Sequence, residues 1–327
     1  VARIVIPGGT GHLGRALARR LVDRGDDVVV LTRGPSRTAE GWRAVTWDAA
    51  TIGDWVEVLD GADAIVHLNG RRVDVRSTRR NIDELISSRV EPVRVVGAAL
   101  RKCGSPPPVW VQSSSLAVFG DGGDAVIDES TTPTGIGPRE MVTVCLAWEN
   151  AFHHAAAQVD RAVLLRLGIG IGGQGDPVTA KLTQLVRLGL GGRVGSGKQW
   201  VSWVGLQDLL DAMIRAIDEP SMVGTYHVTS PNPVTNAEMM AAYRRLLGRS
   251  IGLPAPALVA KLGAPLLGSS SSLALTGRRC VPKRLLDEGF TFRQPDFEAT
   301  VQHALQHGEA HPPLRRSRFS KPSGPSS

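Results

Sequence analysis

Residues 3–14 constrain this chain more than any other stretch. An apolar run, Ile4-Val5-Ile6, breaks at Pro7 and enters Gly8-Gly9-Thr10-Gly11-His12-Leu13-Gly14, with Gly9, Gly11 and Gly14 at the G-x-G-x-x-G spacing. Such glycines serve a tight turn, close approach of backbone N–H groups to a pyrophosphate, and close helix–strand packing. Beyond the turn, Leu13, Leu17 and Leu21 recur every four residues, Gly25 stands in a C-cap position, and Val28-Val29-Val30-Leu31 reads as a second buried strand. Residues 3–31 therefore form a βαβ unit of the length a dinucleotide fingerprint requires. The start of its helix offers free N–H groups and a positive dipole end to phosphate. Gly8, Gly9, Thr10, Gly11, His12, Leu13 and Gly14 are the expected cofactor contacts.

The end of the second strand selects between cofactors. An NAD site usually carries Asp or Glu there to accept from the ribose 2′-hydroxyl. This chain has Thr32 and Arg33, with Arg37 close behind. A guanidinium cannot accept those bonds but pairs with a 2′-phosphate, so the sequence favours NADP(H).

Composition excludes several other classes. No run approaches the roughly 18–20 apolar residues of a membrane span. The N-terminus enters a strand directly without a signal-peptide pattern, so a cytoplasmic protein without a membrane partner is expected. Cys103, Cys145 and Cys280 lack metal or redox spacing and read as packing residues; no metal site is expected. The net charge of +7 lies partly in a Pro/Ser-rich basic segment after Glu309 that carries Arg315, Arg316, Arg318 and Lys321, so a nucleic-acid partner is not expected.

Strand and helix then alternate: a strand at 44–47, a helix near 51–59, Ala64-Ile65-Val66-His67-Leu68 running into Asn69-Gly70, a helix at 80–101, Val109-Trp110-Val111, a helix at 139–158 and a strand at 162–166. The pattern predicts an α/β fold, a Rossmann-type doubly wound parallel sheet, with ligands at the carboxyl ends of the strands. Three regions follow: an NADP-binding domain over 1–167, a smaller mixed substrate region over 168–308 interleaved with the sheet, and a disordered tail over 309–327. Glycine-rich loops at 168–175 and 189–197, with Trp200 and Trp203, are candidates for an apolar pocket. Helices are expected at 177–188, 206–218, from 235 to about 247, and from about Pro256.

The chain resembles the extended short-chain dehydrogenase/reductases of the NAD(P)-dependent epimerase/dehydratase group, and more narrowly its atypical epimerase-family, or cell-division-inhibitor-like, subgroup. The resemblance covers residues 2–306. It rests on the glycine turn, Val66-His67-Leu68-Asn69-Gly70, Ser88-Arg89-Val90, Phe119-Gly120-Asp121, Trp148-Glu149, Gly195-Ser196-Gly197-Lys198-Gln199-Trp200, Pro233-Val234-Thr235-Asn236, Pro282-Lys283-Arg284-Leu285-Leu286 and Gly289-Phe290-Thr291-Phe292. It implies further cofactor contacts at Leu68, Asn69, Gly70, Arg89 and Ser113, and places the catalytic hydroxyl at Ser115 in Ser113-Ser114-Ser115. Ser115 also reads as a turn serine bonded to local backbone. Arg89 reads either as a binder of a carboxylate or phosphate or as the partner of a surface acid. A homodimer is compatible with the superfamily's habits.

The superfamily's chemistry also needs a Tyr acid/base and a Lys four residues on. The only tyrosines are Tyr226 and Tyr243, and no lysine lies between Lys102 and Lys181; Met141 and Cys145 hold the two positions. Pro7 replaces a usual Thr, and Gly205 stands where His is common. General acid/base assistance is worth about 10²–10⁴ in rate, whereas positioning supplies effective molarities of order 10⁵ M or more. Loss of the tyrosine therefore need not abolish hydride transfer. The sequence points to an NADPH-dependent reductase of a small carbonyl substrate. The alternatives are a non-catalytic NADP(H)-binding regulatory protein and, less favoured, a nucleotide-sugar epimerase/dehydratase.

Overall fold

Alternating side chains of each strand feed two cores. In a computed structural model, which describes residues 1–35, 37–133, 139–258 and 272–307, Ile4 and Ile6 of β1 (Arg3–Pro7) join Val28 and Val30 of β2 (Asp27–Thr32) on one sheet face. Helices α1 (His12–Arg24) and α5 (Leu206–Asp218) supply Leu17, Leu21, Leu209 and Met213 to that face. Val5 and Val29 point the other way, toward Val93 and Val96 of α2 (Arg79–Leu100) and Phe152 of α3 (Arg139–Ala155). Strands buried on both faces are continuous apolar runs, as a parallel sheet covered by helices demands.

The other strands of this sheet are β3 (Arg37–Ala39), β4 (Trp42–Thr46), β5 (Ala64–His67), β6 (Val109–Ser115), β8 (Arg161–Leu167) and β12 (Gly224–Val228), in spatial order β12-β8-β6-β5-β1-β2-β4-β3. Seven run parallel, and β3 closes one edge antiparallel to β4. The chain builds β2 and β4 to one side of β1 and β5, β6, β8 and β12 to the other. The switch point between β1 and β5 is where such sheets place ligands. No described helix is long and apolar enough to cross a membrane.

Several expected elements shift. The helix near 51–59 is a single 3₁₀ segment, Asp54–Val58. The segment 198–204 splits into β10 (Trp200–Val201) and β11 (Trp203–Gly205), which pair with different partners, Val234–Thr235 and Ile169–Ile171. Helices 177–187, 206–218 and 236–246 lie where expected. The mixed C-terminal half is interwoven with the sheet: it contributes β12, and its Arg279–Cys280 (β14) pairs with Val126–Ile127 (β7). The helix expected from Pro256 runs largely, and the tail at 309–327 wholly, outside the described residues.

Two histidines are sealed in this scaffold. His67 and His227 are fully buried, and burial pushes both down to about 3. The Pro92 backbone offsets this only in part for His67, whose ring nitrogens both lack a well-formed hydrogen bond; for His227, Arg166 adds to the depression. Between pH 6.5 and 3 the unfolded chain binds a proton at each site that the folded chain does not. Stability therefore falls as pH falls, by about 1.4 kcal/mol per pH unit per histidine inside that window. From pH 7 to pH 5 the two together should cost about 4 kcal/mol of unfolding free energy in urea titrations. His67→Gln with His227→Gln should flatten that slope whatever it does at pH 7, and an unchanged slope would refute the assignment.

Candidate functional site

The glycine turn is packed from below and open above. Gly8 takes φ +82°, and a Cβ there would lie 2.7 Å from Asn69 Oδ1. A Cβ on Gly14 would fall 2.5 Å from Gly9 Cα. Gly11 differs: a Cβ would meet only the Gly8 carbonyl oxygen, at 3.7 Å. Helix α1 begins at this point with Gly11 as a cap that has no side chain to offer and with no acid in its first turn. The first N–H groups of α1, on His12, Leu13 and Gly14, thus emerge at the sheet's switch point beside an open face, which is an anion cradle. Pro7 does not loosen the turn, because its carbonyl accepts from Leu68 N at 2.9 Å while Gly8 N donates to Leu31 O.

His12 connects the cradle to the C-terminal half. Its Nδ1 lies 3.1 Å from the Gln174 carbonyl oxygen and its Nε2 3.1 Å from that of Gly172. The 172–176 loop is fixed in turn by Asp176, which accepts from Gly172 N, Val178 N and the Thr179 hydroxyl. On the other side of the turn stand Leu68, Asn69 and Gly70. Asn69 Oδ1 is buried without a partner, facing the glycine turn.

At the ends of β2 and β4 a cavity of about 840 Å³ is lined by Arg33, Arg43, Thr46, Trp47, Asp48 and Trp55, among others. Arg33 and Arg43 are exposed, and neither makes an ion pair among the described residues. Arg43 was not legible from the glycine motif, since it reaches the cavity only through the β2–β4 pairing. Asp48 is held by Ala50 N, Thr51 N and the Thr51 hydroxyl, and these bonds lower it to about 2, so it stays anionic. The side chain of Arg37 lies outside the described residues.

The carboxyl end of β6 presents the three serines differently. The Ser113 hydroxyl donates to His67 O, tying β6 to β5, so the side chain expected at the cofactor is spent inside the sheet. Ser114 donates to Glu149 Oε1 at 2.6 Å, and Glu149 takes both Nε and Nη2 of Arg166 in a buried pair whose guanidinium lies over Phe119. Ser115 is partly open; its oxygen accepts from Ala117 N at 3.2 Å, and its own proton is uncommitted. Both readings of Ser115 are therefore compatible.

Arg89 departs from both expectations. It is buried, lies over Trp148, and donates to Leu85 O, Ser88 Oγ and Arg71 O. It makes no ion pair with an acid among the described residues. Its role here is to brace the Gly70–Arg71 turn from below, at the edge of the cofactor face. Trp203 is likewise no pocket wall: it is wholly buried against Phe297 and donates to Asn232 O. Trp200 is half-buried, donates to Asp124 and stacks on Arg279. The 189–197 loop turns toward 253–255 through Gly192 N to Leu253 O and Gly195 N to Ala255 O.

Neither tyrosine reaches this region. Tyr226 bonds Glu288 and Arg284, and Tyr243 is buried against Thr179. Cys145 is sealed among Leu116, Val118, Phe119, Ile127 and Cys280, with Met141 beside it. Burial and nearby Glu149 push its thiol up to about 12, which excludes a working thiolate. Gly205, in the usual His position, is explained by packing: a Cβ would lie 2.8 Å from Gln294 Cβ and closer still to its Oε1, so residue 294 takes that space.

Comparison with known proteins agrees with this geometry. The model of the NAD dependent epimerase/dehydratase family matches residues 4–229, and a domain of unknown function (DUF1731) matches 255–304. The human epimerase family protein SDR39U1 is 30% identical, over 93% of this chain and 99% of its own length. The Mycobacterium leprae epimerase family protein ML0860 is also 30% identical, over 95% and 97%. A crystal structure of human SDR39U1 (isoform2) with NADPH superposes with a TM-score of 0.79 at 28% identity, covering 93% of this chain and 99% of that one. With its glycine cradle at the switch point and this match over more than half its length, the chain belongs to the NAD dependent epimerase/dehydratase family.

Proposed function

We propose that this chain is an NADP(H)-dependent oxidoreductase, an atypical short-chain reductase that transfers hydride to a carbonyl of a small organic substrate. The observation that carries the cofactor half is the open, uncapped start of α1, together with a cavity along β2 and β4 lined by Arg33 and Arg43, which make no ion pair among the described residues. The similar human structure with NADPH supports the same cofactor. The α1 N–H groups of His12, Leu13 and Gly14 hold the pyrophosphate, Arg33 and Arg43 the 2′-phosphate, and Asn69 the adjoining face. The cofactor supplies a hydride when bound. Ser115, with its uncommitted proton, orients and polarises the acceptor oxygen. No Tyr/Lys pair assists, so positioning carries the rate. Three free thiols suit a reducing cytoplasm.

Loss of one charge-assisted phosphate contact costs about 1.5–3 kcal/mol. Arg33→Ala and Arg43→Ala should each weaken NADPH binding about 10- to 100-fold in titration calorimetry and leave NADH binding unchanged. Equal losses for both cofactors would place these arginines elsewhere. NADPH oxidation followed over a carbonyl panel tests the reductase. Tight NADPH binding with no turnover would favour the second reading, a regulatory NADP(H)-binding protein, which the absence of Tyr and Lys from α3 motivates. Epimerisation has least support, because both tyrosines are engaged away from the site.

A further inference from the structure

The C-terminal segment brings a cation to the place that lacks one. Arg278 lies in the stretch leading into β14, and its backbone is fixed at every turn. Its N–H donates to Trp200 O, its carbonyl accepts from Ser202 Oγ, and Gly277 before it bonds Asp121 and Gly122. The side chain is half-buried, and its Nε is fully enclosed with no hydrogen-bond partner. It makes no ion pair among the described residues; Asp121 is felt electrostatically but spends an oxygen on Gly277 N. The titratable groups that act on it are Cys280 of β14, Cys145 of α3 and Asp121. Burial pushes both thiols up to about 12, so they stay neutral and give no countercharge.

Two other guanidiniums, Arg89 and Arg166, act on the same Cys145 position. Glu149 neutralises Arg166, and backbone oxygens satisfy Arg89. Arg278 alone of the three keeps its donors unspent. A guanidinium held rigidly, desolvated and without an acceptor is costly unless an anion completes it, and its planar fork matches an oxyanion edge-on. The side chains packed with Cys145 and Cys280, among them Leu116, Phe119, Ile127 and Met141, are apolar and accept no hydrogen bonds.

We infer that Arg278 is the receptor for an oxyanion on the substrate, so that the acceptor carbonyl beyond Ser115 belongs to an organic acid. The substrate class rests on the reductase reading; the anion site itself does not. The arginine binds and orients that acid through its carboxylate or phosphonate edge, while the apolar wall takes the carbon skeleton.

Titration calorimetry on the full chain saturated with NADPH tests this with three probes of one shape: benzoate, phenylphosphonate and benzamide. The expected result is binding of one or both anions at least tenfold tighter than the neutral amide. The preference should vanish in Arg278→Met, partly return in Arg278→Lys, and NADPH affinity should stay within about twofold in all three proteins. Benzoate against phenylphosphonate decides which oxyanion is preferred. The proposal is overturned by equal binding of acids and amide, by absence of anion binding at millimolar concentration, or by a preference that persists in Arg278→Met. It is also overturned if Arg278→Met and Arg278→Lys fold, by circular dichroism, yet lose NADPH, which assigns the guanidinium to the cofactor. If no carbonyl acid is turned over while the Arg278-dependent preference holds, the reductase reading fails and the anion site stands.

Discussion

Gly14→Val should abolish NADPH binding and lower the melting temperature, because its side chain must enter the backbone of Gly9, whose Cα, carbonyl carbon and oxygen lie 2.5, 2.7 and 2.7 Å from the Cβ position. No rotamer relieves a clash made by Cβ itself. Either α1 moves away from β1 or the turn opens, and both displace the N–H groups that face the cofactor. Gly11→Ala separates the two effects. Its Cβ enters open space on the cofactor side, and its backbone, at φ −71° and ψ 173°, suits any residue. Gly11→Ala should leave the melting temperature within a few degrees and still weaken NADPH at least tenfold in titration calorimetry. Normal NADPH affinity in a folded Gly11→Ala protein would remove the cofactor from this face of the turn.

Glu149→Ala should cost about 3–5 kcal/mol of unfolding free energy, the usual penalty for leaving one charge of a buried pair alone. The side chains of Glu149 and Arg166 are only 6% and 10% exposed, so water screens the abandoned guanidinium poorly. Ser114 loses its acceptor at the same time. Replacing both partners by Met should cost much less than Glu149→Ala, since a well-packed apolar pair avoids desolvation altogether. Urea denaturation of the two proteins measures the difference; similar losses would mean that the pair contributes packing rather than charge.

What the sequence reveals follows the range of each interaction. The glycine turn and first βαβ unit are legible because their determinants lie within about thirty consecutive residues. Helix 206–218 is legible for the same reason. Strand β3 is not: Arg37-Thr38-Ala39 has no apolar alternation and exists because β4 offers an edge. Arg33 is visible at a strand end, but Arg43 joins it only across the β2–β4 register. Ser113 and Ser115 look alike in sequence, and only the side on which each hydroxyl emerges separates a sheet tie from a cleft residue. Trp203 looks like its neighbour Trp200 but lies one strand over, inside the core. Arg278 stands in a Gly-Arg-Arg-Cys run with no spacing that links it to Cys145, and Gly205 makes sense only once Gln294 is beside it.

The C-terminal segment is tied to earlier parts of the chain at distant points. Asp208 of α5 holds Arg293 N and Gln294 N, Glu129 holds His227 N and Arg284 N, and β14 lies along β7. The anion cradle uses residues 8–14, whereas the wall bearing Cys280 is made about 270 residues later. During translation a nascent chain thus has its phosphate turn in hand long before the wall bearing Cys280 leaves the ribosome.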